Sequence, residues 1–198
     1  MIRIVLFWVS LLCTPLHAEE LPALYSVTGV AANDVLNLRE RPDSSAAIVG
    51  RLAPDASGVE VVAFADDWAV INVDGVAAYA ARRFLLREDG PDWVTLQRPI
   101  LCAGTEPFWT LAVDPSTTSA GFSTPEQPEP RLLAIDDLWP GNAWTTSAAV
   151  SLPVGLAVLR RAECSDGMSD QQFGIAVDLF LHDAGGLRLA GCCSLSQD

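Results

Sequence analysis

Between residues 35 and 41 the chain alternates apolar and polar side chains. Leu36 and Leu38 share one face, and Asn37, Arg39 and Arg41 share the other. A period of two marks a strand with one face in a core and one in water. Pro42 ends it, because proline has no N–H for a ladder, and Asp43-Ser44-Ser45 is turn material. Residues 25–30 predict an earlier strand, Ile48, Val49 and Leu52 add core, and residues 59–64 predict another strand. Residues 68–73 and 76–80 are joined by Asp74-Gly75, a strong hairpin signal.

The later chain has the same texture. Residues 108–113 read as a strand closed by Asp114-Pro115, with further strands at 132–135, 148–152, 156–160 and 173–181. Asp183-Ala184-Gly185-Gly186 predicts a hairpin into residues 187–192, and Gln127-Pro128-Glu129-Pro130 reads as an exposed, extended loop. No stretch shows helical periodicity and no internal repeat is present. The fold class is therefore all-β, in two units. A small barrel over residues 24–88 precedes a second antiparallel domain over 98–198, either a barrel or a sandwich. The polar, turn-rich Glu88-Asp89-Gly90-Pro91-Asp92 marks the seam.

Composition narrows the function. The chain has 198 residues, 50% hydrophobic and only 19% charged, which is too apolar for disorder. Its 12 basic residues are all arginine and stand against 25 acids, a net charge of −13. With no basic run, nucleic acid and anionic membrane surfaces are excluded as partners, since both need a cationic footprint. Two histidines, His17 and His182, are too few for a multi-histidine metal site.

The first 18 residues have the layout of a secretory signal peptide. Arg3 opens it, residues 4–12 are apolar, and Leu16-His17-Ala18 precedes Glu19-Glu20. The apolar run is far short of the ~20 residues that span a bilayer. Ser10-Leu11-Leu12 does not suit a lipid-attachment signal, which wants small residues beside the cysteine, so lipid anchoring at Cys13 is set aside. The expected location is periplasmic or secreted, with no transmembrane segment after cleavage. Cleavage leaves four cysteines, Cys102, Cys164, Cys192 and Cys193, an even number suited to two disulfides in an oxidising compartment. A bridge between neighbours 192 and 193 needs a strained ring. Two pairings remain, each tying Cys102 and Cys164 separately to Cys192-Cys193.

Asn37-Leu38-Arg39-Glu40-Arg41-Pro42, then Ile48-Val49-Gly50-Arg51-Leu52, the strand at 59–64, Trp68 and Asp74-Gly75 follow one another in a recognisable order. This series resembles a bacterial SH3 (SH3b) domain. Where that family usually has Gly-Trp-Val after the hairpin, this chain has Ala78-Tyr79-Ala80. The resemblance implies a binding or spacing module of the cell envelope, acting near peptidoglycan or against a neighbouring domain. Trp68, Tyr79, Arg39 and Arg41 are the candidate ligand-binding residues, an aromatic and cationic ledge for a peptide or carboxylate. The competing reading makes the two aromatics core and rim, with the arginines solvated.

The second unit carries Cys102-x-Gly104-x-Glu106-Pro107-Phe108-Trp109, Glu163-Cys164-Ser165-Asp166-Gly167-Met168-Ser169-Asp170 and Gly191-Cys192-Cys193. Together they resemble an uncharacterised bacterial envelope domain, which implies a location and no activity. Two disulfides would consume every thiol, and His182 is the one imidazole left for a serine such as Ser165 or Ser169, neither of which lies in a G-x-S-x-G elbow. Asp166 and Asp170 lack the calcium-loop pattern and are expected to cap a tight turn. Trp109, Trp139 and Trp144 are expected in the core. No catalytic residue, metal ligand or cofactor is assigned. The expectation is an exported, non-enzymatic envelope protein whose SH3b module binds peptidoglycan or an envelope protein. The alternatives are a small-ligand or metal carrier, or a protein inhibitor, using the second domain.

Overall fold

The computed structural model describes residues 20–142, 144–182 and 185–195. The predicted signal segment, with Cys13, and Asp183-Ala184 of the last predicted hairpin lie outside the described residues. The described chain is all-β, as its patterning requires.

Eight strands precede the seam. They are β1 (Ala23–Val27), β2 (Leu36–Arg39), β3 (Ile48–Leu52), β4 (Val59–Val61), β5 (Ala63–Ala65), β6 (Trp68–Val73), β7 (Val76–Ala81) and β8 (Leu85–Arg87). They make two small sheets, ordered β4-β1-β8 and β3-β2-β7-β6-β5. Both line one core around Tyr25, Leu36, Leu38, Val61, Ile71 and Ala78. Asp74 and Gly75 take positive φ of 48° and 85° between the paired Val73 and Val76, as a tight primed turn demands. The strand expected at 59–64 is in fact two. The chain leaves one sheet after β4 and enters the other at β5, so Val62 is the point of transfer.

Nine strands follow: β9 (Ile100–Thr105), β10 (Phe108–Asp114), β11 (Ser119–Thr124), β12 (Gln127–Ala134), β13 (Asp137–Trp139), β14 (Ser147–Leu152), β15 (Gly155–Cys164), β16 (Phe173–Leu181) and β17 (Leu187–Leu195). Where the sequence left barrel or sandwich open, the structure has one curled antiparallel sheet, a half-barrel ordered β12-β11-β10-β9-β17-β16-β15-β14-β13. Its two edges are consecutive in the chain. Ile135 N–H donates to Thr118 O at 2.9 Å on one side, and Asp136 N–H donates to Ser151 O at 2.9 Å on the other. Two residues thus carry the backbone from edge to edge and pinch the sheet shut at that corner. Residues 127–130, expected as a loop, are instead the start of edge strand β12. They are exposed and extended, with Pro128 and Pro130 alternating along it.

The interior is filled by Trp109, Leu111, Val150, Leu159, Ile175 and Leu179 among others. The connecting segment joins them. Trp93 and Val94 of a single 3-10 turn, with Leu96, are buried in this second core, which therefore reaches ahead of residue 98. Trp109 alone of the three expected core tryptophans is buried. Trp139 is 50% exposed and Trp144 94%, because Trp139 ends the edge strand β13 and Trp144 lies in the connection that follows it.

Both disulfides are present, Cys102–Cys193 and Cys164–Cys192. Cys192 and Cys193 are successive residues of one strand, so their side chains leave opposite faces. Cys193 turns into the core and stands directly opposite Cys102 on β9, with Cα atoms 4.0 Å apart. Cys192 turns outward. It meets Cys164 because a bulge between Arg161 and Cys164 carries the end of β15 across β16. Two disulfides fit an extracytoplasmic protein, and no helix among the described residues is long and apolar enough to cross a membrane.

The two units are docked against each other. Ala77 N–H donates to Asp170 O at 2.8 Å beside a parallel bridge from Val76 to Asp170. Asn72 exchanges two hydrogen bonds with the backbone of Gln172. Arg161 reaches from the half-barrel to both oxygens of Asp92 at 2.7 Å, donates to Leu21 O, and lies over the Trp93 ring. Burial opposes charge on Asp92. Hydrogen bonds from Glu20, the Val94 N–H and Arg161 outweigh it and hold the carboxyl below its ordinary range. Glu60 faces the same junction. Its carboxylate receives the Leu195 N–H, yet its Oε1 is buried without a partner, and burial raises its pKa to about 7.

Candidate functional site

The sequence-predicted ledge of the first unit is partly assembled. Arg39 on β2 and Tyr79 on β7 are cross-strand partners, so both leave the outer face of the five-stranded sheet. Trp68, at the start of β6, is on that face as well, because Ala69 and Ile71 turn into the core. Arg39 and Trp68 line one groove of about 470 Å3. Tyr79 is half-buried beside Arg39 and is not among the groove walls, and Arg41 is exposed beyond the end of β2.

Two other walls escaped the sequence reading. Arg83 and Phe84, from the 3-10 turn Arg82–Phe84, complete the groove, with the Arg83 guanidinium 4.5 Å from the Phe84 ring centre. The signal available was the Arg82-Arg83 doublet at the end of β7, but which arginine faces the groove depends on that turn. Arg82 goes elsewhere and stacks over Phe64 at 3.8 Å. Arg39 spends one N–H on Ala46 O at 2.7 Å, which fixes its direction. Asp34 is the acidic side chain in the lining, so Arg39 and Arg83 leave a local surplus of positive charge in a strongly acidic chain. Aromatic walls with fixed guanidiniums suit a carboxylate carried on an apolar or peptide body.

The second unit gathers its three motifs at one place on the outer face. Gly104 and Glu106, the Cys164–Met168 loop, and Gly191 beside Cys192 border a groove of about 500 Å3. Asp166 shapes the loop as expected. Its carboxylate accepts from Met168 N–H, Ser169 N–H and the Ser169 hydroxyl, and these hydrogen bonds keep its pKa low. Gly167 takes a positive φ of 72° at the tip, and Thr105 Oγ1 donates to Asp166 O at 2.7 Å, tying the loop to β9. All four described cysteines are bridged, and His182 is exposed at the far end of β16. Among the described residues, no three His, Cys, Asp or Glu side chains converge as a metal set.

Comparison with family models, with characterised proteins and with solved structures finds no match to this chain.

Proposed function

We propose that this chain is an exported, disulfide-stapled binding protein of the cell envelope, addressed to the periplasm by a cleaved signal over residues 1–18. In this reading its first unit is an SH3b-like module that holds peptidoglycan, or the peptide of an envelope protein, by a carboxylate. One observation carries it: Trp68, Arg39 and Arg83 converge on a single groove with a net positive lining. The geometry supplies what such a ligand needs, an aromatic wall for its apolar body and two oriented guanidiniums for its charge. Two features support a role without turnover. Every described cysteine is held in a bridge, and the one described imidazole, His182, is exposed at a turn.

The test is co-sedimentation with purified sacculi, run beside affinity capture from periplasmic extract. The wild-type protein is expected to pellet with sacculi or to capture one specific partner. Trp68→Ala and Arg39→Ala should each reduce that by at least about tenfold while the half-barrel and its disulfides stay intact. Absence of both, or binding indifferent to Trp68 and Arg39, overturns the proposal.

A further inference from the structure

On the outer face of the half-barrel, Asp178 of β16 stands between two arginines. Arg160 of β15 donates through Nη2 to Asp178 Oδ2 at 2.8 Å, and Arg188 of β17 donates through Nε and Nη2 to Oδ1 at 3.0 and 2.6 Å. Registry explains the meeting. Val158 and Ala190 lie directly opposite Asp178, which places both arginines at diagonal positions within reach of one carboxylate. The exposures differ sharply. The Asp178 side chain is 13% exposed, while those of Arg160 and Arg188 are 50% and 61% exposed. Asp178 therefore spends its charge orienting the guanidiniums, and the pair keeps one uncompensated positive charge facing outward. Arg160 commits a single N–H to Asp178, so most of its five donors remain available.

These two arginines line the outer groove where the three motifs meet. Its floor is Ala176 and Ala190, side chains small enough to let an extended backbone lie close to the sheet, with the Gly191 backbone beside them. The Cys164–Cys192 bridge anchors the facing wall, which ends in Met168, 66% exposed and unsupported by any core. Glu106 stands exposed at the rim. The groove thus has a guanidinium pair at one end, a small-residue floor, a thioether wall and two carboxylates at its far border, Glu106 and Asp166, the latter engaged by the N–H groups and hydroxyl of its own loop. That order matches a short peptide.

We propose that this groove binds the C-terminal end of a short peptide, with the terminal carboxylate on Arg160 and Arg188 and a small apolar side chain against Met168. A carboxylate gains charge-assisted, forked hydrogen bonds from guanidiniums that Asp178 has already oriented, so little rotamer freedom is lost on binding. The volume of about 500 Å3 accommodates a ligand of two or three small residues. This site is separate from the Trp68 groove and stands whether or not that groove binds anything.

The experiment is an amide-resolved NMR titration of the oxidised, full-length mature protein with the dipeptide Ala-Ala, its C-terminal amide, and its N-acetyl form. Ala-Ala should shift the amides of Gly167, Met168, Ala190 and Gly191 in a saturable manner. The C-terminal amide should bind at least about tenfold more weakly, and the N-acetyl form should keep the carboxylate contact. Arg160→Gln and Arg188→Gln should each reduce Ala-Ala affinity by about tenfold, and Trp68→Ala should leave it unchanged. The acid-against-amide comparison uses wild-type protein alone, so it stands even if an arginine variant misfolds. Equal binding of acid and amide, or no saturable shift at these residues with any of the three probes, overturns the proposal.

Discussion

The indole nitrogen of Trp109 occupies the place where a side chain on Gly104, its cross-strand partner, would stand. A β-carbon on Gly104 would overlap that nitrogen and crowd the Ala190 carbonyl, and one on Gly191 would overlap the Ala103 carbonyl and press the same ring from β17. The glycines of two separate sequence motifs are therefore one device, a shelf cleared for a single tryptophan. Gly104→Ala is expected to destabilise the protein by about 2–3 kcal/mol, since rigid overpacking costs that much and neither ring nor backbone can yield. In thermal unfolding this is a fall of roughly 5–10 °C for a chain of this size. A fall within about 1 °C would show that the ring moves aside without cost.

The two disulfides should contribute unequally. Cys102–Cys193 joins residues 91 apart and Cys164–Cys192 residues 28 apart, so the first restrains the unfolded chain more. Loop-entropy estimates give about 4–5 kcal/mol for the first and about 3–4 for the second. Cys102→Ala with Cys193→Ala also removes sulfur from the interior, whereas Cys164→Ala with Cys192→Ala disturbs the outer groove and its loop. Denaturant unfolding of the two double variants should rank them in that order. The reverse ranking would mean that docking of the 165–172 loop on the first unit outweighs chain entropy.

How far the sequence foretold this arrangement depends on range. The alternation of Leu36 and Leu38 with Asn37 and Arg39, and the opposed directions of Cys192 and Cys193, follow from the two-residue repeat of a strand, which is local. Asp74-Gly75 is equally local, since its turn geometry is set by its own backbone. Arg160, Asp178 and Arg188 are not legible in that way. They meet only after β15, β16 and β17 adopt one particular register, which no single strand encodes. Arg83 was hidden for a related reason, because a 3-10 turn decides which member of the Arg82-Arg83 doublet enters the groove. Trp139 and Trp144 misled because bulk alone does not predict burial at the end of an edge strand or in the connection that follows it.

Glu60 gives the junction between the units a pH dependence of determinate sign. Its pKa is raised by burial from 4.5 in the unfolded chain to about 7 in the fold, against a smaller opposing effect from the Leu195 N–H. Between those values the native state holds a proton that the unfolded state has lost, so stability falls as pH rises from about 4.5 to 7 and is level above. The full effect is at most about 3 kcal/mol. Glu60→Gln should flatten that segment of the stability–pH curve and raise stability at pH 8, as measured by urea unfolding across the range. A slope that survives the substitution would place the responsible group elsewhere.

The open edge of the half-barrel is protected by its own sequence. Strand β12 begins Gln127-Pro128-Glu129-Pro130 at the outer edge of the sheet and is solvent-exposed there. Its pairing with β11 joins Gln127 to Thr124 and Arg131 to Phe122 with a register shift between, so residues 128–130 lie at an irregular stretch of the edge. Pro128 and Pro130 deprive this segment of two donors, and Glu129 adds charge, both familiar ways of keeping a strand from recruiting a second chain. Replacing both prolines by valine restores the donors and raises strand propensity at an edge already carrying exposed Leu132. The Pro128→Val/Pro130→Val protein is expected to self-associate in a concentration-dependent manner in sedimentation velocity, with its thermal stability little changed. A variant that sediments like wild type at every concentration would show that the half-barrel's edge is closed by its curvature and not by its prolines.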